Sequence, residues 1–320
     1  MSDGRVLVTG ASGFVGSRVV ERLLDDHKSV TVTTRSCVAV NRGDMRSVTI
    51  PGLDGTTDWR EALADVQSVV HCAARVHVMR ESSSDPQAEF RRVNSDGTIA
   101  LARAAARVGV SRFVFVSSIK VNGESSVPGR PFVESDAPSP VDPYGMSKWE
   151  AEQGLRSISE STGLPLVIVR PPLVYGPGVR ANFLRLARWV ARGVPLPLGS
   201  VTENRRTFVA LENLVDLLKL VLWHPEATGE TFLAGDGEDL STAELLRRTA
   251  AAMGRRARLL PIPVGVLESV ADGLGIADMF ARLTGTLQAD TAKARNRLGW
   301  SPPLSVDEGL REAVASLRRW

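Results

Sequence analysis

A phenol and an ammonium stand four residues apart in Tyr144-Gly145-Met146-Ser147-Lys148. On a helix such a pair shares one face, one turn apart. Asp142 and Pro143 before it suit a helix start. A free tyrosine has a pKa of ~10, so it works near neutral pH only where a cation favours its phenolate. Lys148 is spaced to do that, and its ammonium also suits ribose hydroxyls. Upstream, Val116-Ser117-Ser118 closes an apolar run. In a doubly wound sheet ligands lie at the carboxyl ends of strands, so Ser118 is expected in the same crevice as Tyr144. Ser118, Tyr144 and Lys148 together read as a set for moving a proton on and off a hydroxyl or a carbonyl.

A second chemistry is written near the N-terminus. Thr9-Gly10-Ala11-Ser12-Gly13-Phe14-Val15-Gly16 lies between a strand signal and a helix signal. Gly10 permits a tight turn, Gly13 lets the backbone approach a pyrophosphate, and Gly16 lets helix and strand pack closely. The helix start adds unpaired N–H groups and a positive dipole end. Such a turn takes a dinucleotide, with Ser12, Phe14 and Val15 beside the glycines. The next apolar run ends Thr33-Thr34-Arg35-Ser36, with no carboxylate to accept from an adenosine ribose. A guanidinium there suits a 2′-phosphate. Arg35 therefore favours NADP(H), while a solvated Arg35 would leave NAD(H) possible.

These groups need a frame that carries strand ends to one side. Strand signals run at Arg5–Thr9, Ser29–Thr34, Ser47–Ile50, Val66–Cys72, Arg112–Ser117 and Leu164–Arg170. Helix signals separate them at Gly16–Asp25, Val93–Val108 and Tyr144–Ser161. Continuous apolar strands alternating with helices predict an α/β fold: a doubly wound parallel sheet covered on both faces. After Arg170 the texture loosens around Pro171, Pro172, Pro177, Pro195 and Pro197. Helical patterns recur at Asn182–Arg192, Leu211–Trp223, Thr242–Met253 and Ser305–Leu317, with a strand signal at Glu230–Ala234. The expected division is a dinucleotide-binding Rossmann domain over 1–172, rejoined by about 206–236. A smaller, mostly helical substrate lobe would comprise 173–205 and 237–320.

Composition narrows the partners. Of 320 residues, 43% are apolar and 23% charged, as in an ordinary globular chain. Lys plus Arg number 39 against 36 Asp plus Glu, and no dense basic block occurs, so no nucleic-acid partner is expected. No apolar run reaches membrane-span length, and the first residues lack a signal-peptide pattern. Cys37 and Cys72 are too few for a disulfide framework. A cytoplasmic protein that does not engage a membrane is expected. Four scattered histidines predict no metal site, and His71, at the end of an apolar run, reads as a core histidine.

The chain resembles the extended short-chain dehydrogenases/reductases, in their NAD(P)-dependent nucleotide-sugar epimerase/dehydratase branch. The likeness rests on Thr9–Gly16, His71-Cys72-Ala73-Ala74, Asn94 with Gly97-Thr98, Ser117-Ser118, Tyr144–Lys148, Arg170-Pro171-Pro172, Val174-Tyr175-Gly176-Pro177-Gly178 and Leu298-Gly299-Trp300. It is similar above all to bacterial UDP-glucose 4-epimerase-like proteins and 4-keto-6-deoxy-N-acetylhexosamine 4-reductases of O-antigen and polysaccharide clusters. The resemblance implies Tyr144 as general acid/base on the sugar, Ser118 on the same oxygen, and Lys148 tuning Tyr144 and holding the nicotinamide ribose. It implies that Ala73, Ala74, Asn94, Ser117 and Pro171 line the cofactor, and that Asn182 and Arg206 bind the nucleotide diphosphate of a UDP-sugar. Arg75 and His77 follow the fourth strand signal and could meet the substrate. Apolar positions on 93–108 and 147–158 would pair in a homodimer, as in relatives.

Departures from the branch carry information. Pro51-Gly52-Leu53 replaces an adenine-contacting Asp, leaving Leu53 to face that ring. Leu173 stands where an Asn normally meets the substrate phosphate. Ile119-Lys120 follows Ser118 in place of the carboxylates that eliminate water in dehydratases, so a 4,6-dehydratase is disfavoured. Because Arg35 favours NADPH, the expected reaction is C4 reduction of a UDP-4-keto-6-deoxy-N-acetylhexosamine. The alternative is a UDP-hexose 4-epimerase with tightly held NAD. A third possibility, a non-catalytic dinucleotide sensor, is disfavoured by the Tyr144–Lys148 pair.

Overall fold

The computed structural model describes residues 4–35, 44–76, 85–179 and 181–315, with only the backbone of Ala181, Asn182 and Asp278. Cys37 and His77 lie outside them. The strands are β1 (Arg5–Thr9), β2 (Val30–Thr34), β3 (Met45–Thr49), β4 (Val66–His71), β5 (Arg112–Val116), β6 (Leu166–Arg170), β7 (Leu173–Tyr175), β8 (Arg206–Ala210), β9 (Thr231–Leu233) and β10 (Asp239–Leu240). The helices are α1 (Phe14–Asp25), α2 (Pro86–Phe90), α3 (Gly97–Arg107), α4 (Pro143–Thr162), α5 (Ala181–Ala191), α6 (Leu211–Trp223), α7 (Thr242–Ala252), α8 (Val264–Gly273), α9 (Ala277–Thr284), α10 (Ala292–Leu298) and α11 (Val306–Ala315).

Seven strands form one parallel sheet in the order β3-β2-β1-β4-β5-β6-β9. Successive strand residues point to opposite faces, and both faces are covered. Val6 and Val8 of β1 pack with Val19 and Leu23 of α1 and Leu214 and Leu218 of α6. Leu7 packs on the other face with Leu101 and Ala105 of α3 and Ala151 and Leu155 of α4. Burial on both sides is why these strands are apolar throughout. The strand order reverses between β1 and β4, so the carboxyl ends of these two open a crevice. The expected doubly wound α/β architecture is present.

A second sheet, β10-β8-β7, pairs β7 with β8 in parallel and β10 with β8 antiparallel. Its core joins Tyr175, Phe183, Phe208, Leu245, Val306 and Leu310. β7 was not expected, since two prolines precede it and it is only three residues long. α8, α9 and α10 were not expected either; each is short, and α8 carries Gly265 and Gly273. The single helix read over 93–108 is instead a π-turn, Arg91–Asp96, running into α3. Among the described residues no helix is long and apolar enough to cross a membrane.

Candidate active site

Tyr144 is carried by the first turn of α4. Asp142 caps that turn, accepting from Gly145 N at 2.7 Å, and Pro143 opens it. Ser118 leaves the carboxyl end of β5 and accepts from Lys120 N at 3.2 Å. The Ser118 hydroxyl stands by the Tyr144 phenol on the cavity wall and favours its ionised form. Burial and the nearby Asp142 carboxylate push that phenol up to about 12, against the pull of Ser118. The spacing argument expected Lys148 to set the phenol. Its Nζ lies 6.0 Å from the Tyr144 ring centroid and donates to Val116 O at 2.9 Å. Burial lowers Lys148 to about 8, with Cys72 and Glu152 supporting its charge. The ammonium therefore stands beside the phenol while the chain itself anchors it.

Two buried networks hold this geometry. In the first, Glu152 of α4 accepts from Ser117 Oγ at 2.6 Å and from both Nε and Nη2 of Arg170, at 2.8 and 2.6 Å. Arg170 also reaches Asn122 Oδ1 at 2.9 Å. Arg170 and Glu152 are both buried, so the ends of β5 and β6 are tied to α4 behind the reacting groups. Sequence reading missed Glu152. The available signal was its place one helical turn beyond Lys148, together with an arginine ending an apolar strand that had to find a partner. In the second network His71 bridges Thr9 Oγ1 at 2.6 Å and Thr98 Oγ1 at 2.8 Å, and Thr9 Oγ1 also accepts from Ala73 N at 3.3 Å. Thr98 donates to Asn94 O, and the Asn94 side chain binds Arg75 N, Arg75 O and Ser147 Oγ. Ser147 Oγ in turn donates to Tyr144 O. A chain of contacts thus runs from the glycine turn to the tyrosine. Asn94, expected against the cofactor, is buried and joins these backbones.

The glycine turn fits a dinucleotide. Gly10 has φ +70°, and a Cβ on it would lie 2.7 Å from Ala73 N. A Cβ on Gly16 would collide with Gly10 O. Gly13 caps α1 without any side-chain hydrogen bond, which leaves the first N–H groups of the helix open to a phosphate. Ala73 and Ala74 follow β4 at the same strand edge, Ser117 and Pro171 follow β5 and β6, and Leu53 packs against Gly97. Arg35 is exposed at the end of β2.

Ser118 and Tyr144 open onto a cavity of about 390 Å³. Its charged lining is Lys120, Glu124, Arg185, Arg206 and Arg282, and its apolar lining includes Ile119, Leu173, Phe183, Trp189 and Leu245. Arg206 is held by Gly285 O at 3.1 Å. Burial disfavours its charge, and Glu124 partly restores it. Arg75 turns elsewhere, its guanidinium 5.6 Å from the Phe90 ring centroid, and its neighbour Val76 lines the cavity. The side chain of Asn182 lies outside the described residues. Lys120 and Glu124 on the cavity wall were not foreseen as site residues.

Residues 6–235 match the NAD dependent epimerase/dehydratase family. The UDP-glucose 4-epimerase of Vibrio cholerae is 42% identical over 310 residues, covering 97% of this chain and 94% of its own. The N-acetyl-alpha-D-glucosaminyl-diphospho-ditrans,octacis-undecaprenol 4-epimerase of Escherichia coli O157:H7 is 28% identical, covering 97% and 94%. Among solved structures, MoeE5 in complex with UDP-glucuronic acid and NAD superposes with a TM-score of 0.78 at 27% identity over 99% of each chain. The match spans the glycine turn, the Ser–Tyr–Lys set and the sheet that joins them, and the chain belongs to the NAD dependent epimerase/dehydratase family of extended short-chain dehydrogenases/reductases.

Proposed function

We propose that the protein is a UDP-hexose 4-epimerase that uses NAD. The carrying observation is that Ser118 and Tyr144, with the Lys148 ammonium near the Tyr144 ring, face one cavity whose lining cations outnumber its one carboxylate. Arg206, with Arg185 and Arg282, suits a diphosphate by charge-assisted bonding. The Vibrio cholerae relative, named a UDP-glucose 4-epimerase, supports this choice over the reductase that Arg35 suggested.

In this reading Tyr144 takes the proton of the C4 hydroxyl while Ser118 hydrogen-bonds the same oxygen. Lys148 stabilises the Tyr144 phenolate that accepts this proton and holds the nicotinamide ribose. Bound NAD supplies the reversible acceptance of a hydride from C4. The cavity lets the 4-keto sugar turn over, and Tyr144 returns the proton once the opposite face is presented. The glycines of 10–16 hold the pyrophosphate, and segments 173–205 and 237–320, joined by β8 in the second sheet, form the sugar-nucleotide lobe.

A second reading, NADPH-dependent reduction of a UDP-4-keto-6-deoxy-N-acetylhexosamine, is favoured by one feature. Leu173 and Ile119 make the wall near Ser118 apolar, which suits a C6 methyl. The purified protein distinguishes the two. Retained NAD and interconversion of UDP-glucose and UDP-galactose without added cofactor support the epimerase. An NADPH-consuming reaction on the 4-keto sugar, with no epimerisation, supports the reductase, and inactivity on both overturns the proposal. Binding of NADPH and NADH to Arg35→Asp bears on the cofactor: an unchanged affinity ratio removes Arg35 from 2′-phosphate recognition.

A further inference from the structure

Lys120 lines the same cavity as Ser118 and Tyr144, yet the reaction above gives it no task. It lies two residues after Ser118, in the tight turn Ile119–Val121. Its ammonium sits between two carboxylates, donating to Glu124 Oε1 at 2.8 Å and to Asp142 Oδ2. The other oxygen of Asp142 caps α4 through Gly145 N. Asp142 thus has two neighbours of opposite consequence: a helix start that favours its negative charge, and a phenol two residues on whose ionisation that charge opposes.

We propose that Lys120 is a positioning residue that sets the proton affinity of Tyr144 through Asp142, neutralising the capping carboxylate so that the phenolate can form while the cap is kept. The proposal rests on the reading of Tyr144 as the acid/base group. Among the described residues, the other groups near Tyr144 are placed differently. Lys148 lies on the same helix with its Nζ on Val116 O, Ser118 offers a hydroxyl, and Phe90 of α2 presents an uncharged ring edge at 6.3 Å. Glu124, on the far side of Lys120, faces Arg282 at 3.8 Å and favours the charge of Arg206. Among the described residues, Asp142 is a carboxylate whose charge opposes ionisation of the phenol, and Lys120 is a cation paired with it. Both side chains are partly exposed, so solvent screens the pair, and the expected effect is about half a pH unit.

The chain has only two tyrosines. Tyr175 is fully buried against Asp236, which holds its proton more tightly still. Carbon-13 NMR of the tyrosine ring carbon bearing oxygen therefore follows Tyr144 nearly alone, with Tyr144→Phe assigning the signal. The ionised fraction is read at alkaline pH short of unfolding, which thermal melts of each variant define. Asp142→Asn keeps a capping oxygen and is expected to raise that fraction about threefold, half a unit in pKa. Lys120→Gln should lower it by a similar factor, and Lys120→Arg should restore it. In the Asp142→Asn background, Lys120→Gln should change it little. The proposal is overturned by an unchanged fraction in Asp142→Asn, a measurement that stands even if Lys120→Gln fails to fold. An equal effect of Lys120→Gln in both backgrounds also overturns it, since Lys120 would then act on the phenol directly. Full turnover in Tyr144→Phe would instead remove the acid/base reading, a separate result from these titrations.

Discussion

Acid should unfold this protein through His71. The ring is completely buried, stacked on Phe115 at 5.8 Å, and bridges Thr9 and Thr98. Burial, with the Lys148 charge adding, lowers it from 6.5 to about 3. Between those values the unfolded chain binds a proton that the folded chain refuses. Stability therefore rises with pH across that window. The contribution is complete above ~6.5 and falls by about 1.4 kcal/mol for each unit below it. From pH ~6.5 to ~5 the loss approaches about 2 kcal/mol, a large part of the roughly 5–15 kcal/mol that holds a typical domain. The assay is urea unfolding from pH ~7.5 to ~5 of the wild type and of His71→Gln, whose amide can still meet one or both threonines. Groups common to the two proteins drop out of the difference. The variant should be less stable at neutral pH, by about 1 kcal/mol for a weakened hydrogen bond, yet lose less on acidification. Equal pH dependence in the two proteins would mean that folded His71 accepts its proton, and the argument from burial would fail.

Tyr144→Phe keeps the ring and removes the proton carrier, so turnover should fall by about 10²–10⁴ with dinucleotide affinity unchanged in a binding titration; wild-type turnover would exclude Tyr144. Arg206→Ala should raise KM for the nucleotide sugar by about ten- to hundred-fold, for a lost charged contact of roughly 1.5–3 kcal/mol. Loss of dinucleotide binding with UDP binding intact would place this arginine elsewhere. Glu152→Gln leaves Arg170 buried without its counter-charge, and should cost about 3–5 kcal/mol in chemical unfolding; a midpoint equal to wild type would show the pair to be dispensable.

Local requirements were legible and distant partners were not. The β1–α1 turn could be read because Gly10 and Gly16 leave no room for a side chain, a demand of the backbone itself. Tyr144 and Lys148 could be read because one helix carries both, and the cap at Asp142 and Pro143 announces that helix. The pairs Glu152–Arg170 and Lys120–Asp142 join different elements, and no periodicity within either element points across the gap. Lys148 shows the limit of spacing alone: its distance along the helix was right, but β5 offers Val116 O as its hydrogen-bond partner. The π-turn at Arg91–Asp96 was invisible because its residues are compatible with an ordinary helix. Arg35 illustrates a residue type overweighted: a guanidinium at the end of β2 suggested NADPH and hence a reductase, and the relatives and solved structures support an NAD-dependent epimerase more directly.

Strand β9 joins the sheet beside β6, yet β7, α5, β8 and α6 all lie between them in the chain. During synthesis β6 must therefore wait as an edge strand while that whole stretch is made. An edge as apolar as Leu166–Arg170 is a template for pairing with other chains. A pause, cleavage or destabilising change anywhere between Leu173 and Gly229 would lengthen the wait, including changes at cavity residues far from the sheet. Variants of Arg206 or Trp189 made to alter sugar preference should thus be judged first by soluble yield, because a poor yield there would report unfinished assembly of the sheet and say nothing about the sugar.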